Sequence, residues 1–372
     1  MNFSEIISTE FSALSSLYFN SAYFGPSPQR SRKKLDLVLK KEFDPSFYPY
    51  ENWIHKAEEL RGLLAQLLDC SADCIAHGSS SSDNISLLSH FLPLNADDEV
   101  IIFEGEYPSN VLPWLVAAEN RKIKVTQLPP AQSDLQWFKD HLPSKAKVVN
   151  LSHIAFDSGR KMNLKEIGSY LKQRGIYFVV DCTQSLGAMP IQKDELEFID
   201  FLTCSTYKWL LGPYGHSFFY ITEELQKMIP RMSGNWIVSK GVENVNELTH
   251  YHLETLPGAR KYDRGQGPNM VNLSMLAGSL ELLLELGLEK IWQHNQKLTE
   301  FFKENYNSNQ YELLTPVDNH GSILSLKTEN PFELSEKLKN HNIDVSIRES
   351  KIRLSFHLFN NLSQVEKLLS VL

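Results

Sequence analysis

The sequence predicts an α/β protein: a large domain with a mostly parallel sheet between helices, plus a smaller C-terminal α+β domain. Three observations predict it. From about residue 60 to 225, short apolar runs alternate with amphipathic stretches, the pattern of buried strands covered by helices on both faces. From about residue 226 the chain is polar, aromatic and irregular, and then strongly helical. The end reads strand, helix, strand, strand, helix.

Each element has its own signature. EELRGLLAQLLDC is an amphipathic helix, and DNISLLSHFL is another, opened by the serine cluster before it. EVIIFEGEY is a buried strand, NVLPWLVAAEN a helix, and KIKVTQLP and AKVVNLSHIAF are strands. NLKEIGSYLKQRG is a helix with Asn163 as N-cap, Leu164, Ile167 and Leu171 on one face, and Gly175 as its stop. GIYFVVD, FIDFLTCS and HSFFYIT are short apolar strands. The polar segment 230–269 is too long to be idle. The stretch 273–304 is a helix leaving the large domain. The predicted division is 20–285 for the large domain, with 1–19 and 286–372 forming the small one.

Composition narrows the function. The chain has 372 residues, enough for about two domains. Its net charge of −8 argues against a general nucleic-acid binder. No apolar run approaches the roughly 20 residues of a membrane span, and the N-terminus lacks the charged and apolar regions of a signal peptide. Cys70, Cys74, Cys182 and Cys204 show neither zinc-site spacing nor a disulfide framework. The expectation is a cytoplasmic protein with no metal. No Gly-x-Gly-x-x-Gly or P-loop pattern supports nucleotide binding.

Two residues suggest chemistry. Asp181 ends the apolar strand IYFVVD, where α/β sheets bind ligands. Lys208 lies 27 residues on (208 − 181), between FIDFLT and WLL, against a glycine-rich turn. Alone, Asp181 reads as a turn or cap residue and Lys208 as a snorkelling lysine. Together they suggest a lysine that bonds a carbonyl cofactor and an acid that holds a proton on its ring. Burial lowers a lysine's pKa and frees the neutral amine. Pyridoxal 5'-phosphate (PLP) requires both groups and a phosphate cradle. AHGSSSSDN at 76–84 supplies one: Gly78 permits close approach, and Ser79 and Ser80 stand at a helix start.

VVDCTQSLGAMPI…FIDFLTCSTYKWLLGPYG resembles the class V aminotransferases of the fold-type I PLP-dependent enzymes. That family includes cysteine desulfurases, selenocysteine lyases, and kynureninase-like and isopenicillin-epimerase-like proteins. YFNSAYFGPSP, EYPSN, LSHIAFDSG, PGARKYDRGQGPN and IRLSFHLFNN follow in the family's order, so the resemblance covers nearly the whole chain. It implies that Lys208 forms the Schiff base and Asp181 pairs with the pyridinium nitrogen. Gln184 would reach the ring's phenolic oxygen. Ser79, Ser80 and Ser205 would hold the phosphate, with Tyr207 in the place of a phosphate-binding histidine. Tyr107 would stack on the cofactor, Gln266 would reach the partner subunit's phosphate, and Arg353 would bind the substrate carboxylate. A homodimer with shared active sites is implied.

Departures bear on the reaction. Desulfurases carry a cysteine shortly before the carboxylate-binding arginine, but HNIDVSIRESKIRLSF has none. Tyr107 cannot serve as an imidazole acid or base, and Phe156 replaces a polar residue. The expected function is transamination of an amino acid. A β-lyase or epimerase is the alternative, since the same residues serve all three. A degenerate PLP-binding regulator would be expected to lack Lys208, Asp181 or the arginine, and none is lacking.

Overall fold

The computed structural model describes residues 3–42, 51–242, 244–247, 249–264 and 269–372. The strands are β1 (Leu17–Tyr18), β2 (Ile75–Gly78), β3 (Glu99–Phe103), β4 (Lys124–Leu128), β5 (Ala146–Ser152), β6 (Tyr177–Asp181), β7 (Phe201–Ser205) and β8 (Ser217–Ile221). Towards the C-terminus follow β9 (Glu312–Leu313), β10 (Ile323–Lys327), β11 (Ile343–Asp344), β12 (Ser346–Arg348) and β13 (Lys351–Ser355).

Seven strands form the central sheet in the order β2-β8-β7-β6-β5-β3-β4. Only β8 runs against its neighbours. The strands are apolar throughout because both faces are covered. Ile101, Phe103, Phe178 and Val180 enter one core, and Val100, Ile102 and Val179 enter the other. That is the two-residue alternation of a strand between two helical layers. The parallel strands β5, β6 and β7 end together at Ser152, Asp181 and Ser205, with Ser152 paired to Asp181 and Asp181 to Thr203.

The helix ends follow local chemistry. The side chain of Asn163 accepts the Glu166 N–H at 3.2 Å and opens the helix Leu164–Gln173. Gly175, at φ +64°, reverses the chain after it. The stretch expected as one helix divides at Gly287, whose φ is +80°, into Met270–Leu286 and Leu288–Asn305 at 79°. Among the described residues, no single helix is long and apolar enough to cross a membrane. The first of the two anchors the turn after Lys208: Ser279 Oγ donates to the Leu211 carbonyl at 2.7 Å.

The C-terminal sheet has the order β12-β13-β10-β9, and β1 pairs in parallel with β11. The segment 18–28 contributes only the end of that short strand and a bridge from Asn20 to Ser355. The helices Phe3–Glu10, Gln29–Glu42 and Leu135–His141 are not anticipated by the pattern above.

Gly25 fixes the backbone behind Lys208. Its N–H donates to the Tyr207 carbonyl at 2.8 Å, and an added Cβ would overlap the Lys208 carbonyl oxygen. Gly25→Ala should therefore lower stability by about 2 kcal/mol or more, in the range of overpacked sites. Urea unfolding of the variant against the parent protein measures it.

Candidate active site

One pocket gathers the C-terminal ends of β5, β6 and β7 with the N-terminus of the helix Ser81–Phe91. Asp181, Gln184, Ser205, Tyr207, Lys208, Tyr107 and Ser80 all line it, as do Ser81, Ser82, Thr183 and Phe156. It adjoins a larger cleft of about 710 Å³, which shares Ser82, Tyr107 and Ser109.

Lys208 follows β7 in a buried turn and is itself only 6% exposed. Its pKa is lowered to about 8, first by burial and next by the positive charge of Arg353, against the opposing pull of Asp181. The ammonium lies 5.4 Å from the Tyr107 ring centre and 5.6 Å from that of Tyr207. Both aromatic faces suit a cation with little water around it.

Asp181 is buried, and one carboxylate oxygen accepts the Thr183 N–H at 2.8 Å. Burial raises its pKa above the carboxylate norm, while Thr183 and the charge of Lys208 act the other way. A buried carboxyl in this state gains from a further cationic donor. Glu106 stands close by and accepts from Ser152 N–H and Oγ, both at 2.7 Å, and from Asn110 Nδ2 at 2.9 Å. Burial also raises its pKa, and Asp181 adds to the rise.

The helix N-terminus is ringed with hydroxyls. Ser80 Oγ caps it by accepting the Asp83 N–H at 3.1 Å. Ser81 Oγ lies 2.9 Å from Ser205 Oγ and 3.1 Å from Thr183 Oγ1. Ser82 Oγ lies 2.6 Å from Ser109 Oγ. Hydroxyls and free backbone N–H groups at a helix start suit a phosphate. Ser79, expected in this cradle, is exposed, bonds Asp83 and does not line the pocket. The cap falls on Ser80, so Ser79 precedes the helix and turns outward, while Ser81 and Ser82 take the inner positions.

Gln184 lines the pocket with its amide already engaged. Nε2 donates to the Ala22 carbonyl at 3.1 Å, and Oε1 accepts from Trp209 Nε1 at 2.8 Å. One N–H remains for a ligand. Tyr207 stacks on Tyr214 with ring centres 4.0 Å apart. Tyr107 meets Phe156 edge-on at 5.3 Å and remains 41% exposed. Gln266 lies outside the described residues.

Arg353 approaches from β13. Nε donates to Ser346 Oγ at 3.2 Å and Nη1 to the Phe156 carbonyl at 2.7 Å. Nη2 is buried without a partner. Burial and then the charge of Arg348 lower its pKa to about 9, so it remains cationic at neutral pH. Sequence reasoning missed Arg348, Glu106, Ser81 and Thr183. Only the alternation within SIRESKIRLS, which sets Arg348 and Arg353 on one hairpin face once the turn is known, could have signalled the first.

Burial raises the pKa of all four thiols. Cys182 and Cys204 are fully buried and raised well above the thiol norm, first by burial. Burial pushes Cys70 up to about 12. Among the described residues, no group of His, Cys, Asp or Glu is placed to hold a metal ion.

The aminotransferase class-V family profile matches residues 49–368. The chain belongs to that family. Among class-V relatives, a probable cysteine desulfurase of Pyrococcus abyssi is 28% identical over 341 residues, covering 85% of this chain and 82% of its own. An uncharacterized aminotransferase of Schizosaccharomyces pombe is 25% identical over 379 residues, covering 91% and 94%. The apo cysteine desulfurase of Thermococcus onnurineus superposes with a TM-score of 0.86 at 21% identity, covering 100% of this chain and 97% of that one. A C-DES mutant with glycine covalently linked to its PLP cofactor superposes with a TM-score of 0.88 at 19% identity, covering 98% of both chains. These likenesses show that the class-V chain shares their fold.

The lowered pKa of Lys208 gives a direct expectation. Competitive acylation of the cofactor-free protein, read by mass spectrometry, should label Lys208 at half its plateau rate near pH 8. The neutral fraction rises with pH through that value, whereas exposed lysines reach the same point near about 10.4.

Proposed function

We propose that this class-V protein is a PLP-dependent enzyme acting at Cα of an α-amino acid, and that its reaction is transamination. The cofactor reading follows from family membership. The observation that carries the reading is one pocket in which Lys208, with its lowered pKa, meets Asp181, while the unpaired Nη2 of Arg353 lies just past Phe156. The residues present fit PLP: a buried carboxyl in want of a cation, a hydroxyl-ringed helix N-terminus, and a lysine pressed toward neutrality.

When bound, PLP supplies an electron sink for the charge left at Cα as a bond there breaks. Asp181 would hold a proton at the ring nitrogen. The N-terminus of Ser81–Phe91, with Ser81, Ser82 and Ser205, would bind the phosphate. Lys208 would hold the cofactor through Nζ and would carry the Cα proton as general base and acid. Arg353 would bind the α-carboxylate, and Tyr107 would cover the open face. A homodimer is part of the proposal, supported by the exposed apolar side chains of Phe91, Leu112, Leu115 and Val116 around and beside the cleft.

A β-lyase is the second reading, favoured by the relative named as a probable cysteine desulfurase. It would have to run without a persulfide on the protein. The persulfide route requires an accessible thiolate, and burial pushes Cys70, the most exposed of the four cysteines, up to about 12 and Cys74 up to about 11.

Two measurements test these readings. The purified protein with PLP should absorb in the visible, and Lys208→Ala should lose that band. One L-amino acid should bleach the wild-type band durably, with release of its keto acid. Recovery of the band with ammonia released would support the lyase instead, and a featureless wild-type spectrum would sink both. Separately, Cys70→Ala should keep turnover within about twofold of the parent, whereas a persulfide enzyme relying on that thiol would lose it almost entirely.

A further inference from the structure

Arg353 belongs to a wider cationic face. In the β12–β13 hairpin, Ser346 pairs with Arg353, Ile347 with Ile352, and Arg348 with Lys351. Directly opposed residues share a face, as do residues two apart on one strand. Ile347 and Ile352 pack into the core of the C-terminal sheet. Ser346, Arg348, Lys351 and Arg353 therefore occupy the other face, towards the 156–157 segment. Arg353 Nη1 bonds the Phe156 carbonyl there, and Lys351 Nζ pairs with Asp157 at 3.1 Å.

The charge on this face is unbalanced. Asp157 and the mostly exposed Glu349 both serve Lys351. Among the described residues, Arg348 and Arg353 form no ion pair. Arg348 is half-buried, and Nη1 bonds only the neighbouring Ile347 carbonyl, at 2.7 Å. It stands near enough to Lys208 and Arg353 for its charge to bear on both. Like charges opposed across a hairpin, as Arg348 and Lys351 are, destabilise it unless an anion answers them. One α-carboxylate answers one arginine, and Arg353, the deeper of the two, is the one beside Phe156.

We propose that Arg348 is a specificity residue that binds a second anionic group on the substrate's side chain, so that the substrate is an acidic α-amino acid. This rests on the amino-acid reading above. Arg353 takes the α-carboxylate, Arg348 takes the distal one through its planar fork, and Lys351, neutralised by Asp157, plays a minor part.

The test compares matched pairs on the PLP-loaded enzyme. Wild-type kcat/KM should favour glutamate over glutamine, or aspartate over asparagine, by at least tenfold, the better pair fixing the chain length. Calorimetry should show glutarate binding at least tenfold tighter than its monoamide, without any turnover. Arg348→Gln should bring both ratios to near one, Arg348→Lys should restore part of them, and Lys351→Gln should change them less than threefold. Equal wild-type ratios, which need no variant, overturn the proposal, as does an acid preference that survives Arg348→Gln. A visible band with turnover of neutral amino acids alone overturns this inference and leaves the function above standing. A chain that takes no PLP overturns both.

Discussion

The ammonium of Lys208 is enclosed between apolar segments, and much of the structure answers to it. Stripping water from an ammonium costs several kcal/mol, so the side chain stays buried only where its surroundings accept a weakly charged or neutral amine. Tyr107 and Tyr207 offer aromatic faces, Asp181 offers a carboxylate, and Arg353 presses the amine toward neutrality. The backbone is held as firmly as the side chain. Gly25 lies against the Lys208 carbonyl, and Ser279 holds the Leu211 carbonyl at the end of the turn.

The parallel sheet explains how these groups meet. Strands β5, β6 and β7 deliver Ser152, Asp181 and Ser205 to one edge, because parallel pairing aligns their C-terminal ends. The helix Ser81–Phe91 points its N-terminus at the same edge and adds the hydroxyls of Ser81 and Ser82. An acid, an amine and a ring of hydroxyls thus converge at one sheet edge, and the turn after Lys208 carries Leu211 at φ +57°. The fourth component, Arg353, comes from a different sheet and bonds the pocket wall at the Phe156 carbonyl.

Two features bias the chemistry within the family. Phe156 and Tyr107 line one side of the pocket as an edge-on aromatic pair, which provides no imidazole. The amine in the pocket is that of Lys208, whose pKa is lowered to about 8. The hairpin face carrying Arg348 and Arg353 places two arginines within electrostatic reach of Lys208, while the acids Asp181 and Glu106 stand near the strand ends.

The sequence by itself determined the parallel-sheet architecture, the family, and the pairing of Asp181 with Lys208. These are local properties: alternation of apolar runs with amphipathic stretches, and acidic and basic residues at fixed distances from strand ends. Asn163 and Gly175 were legible for the same reason, since caps act within one turn. Tertiary structure alone decided the rest. Ser79 was displaced from the cradle by Ser81 because the cap fell on Ser80, a shift of one residue that propensity does not resolve. The break at Gly287 depended on packing, as the apolar pattern runs through it. Glu106 and Arg348 were invisible because neither has a motif of its own. Each reaches the site only when strands far apart in sequence are laid side by side, and proximity of charge is a property of the fold.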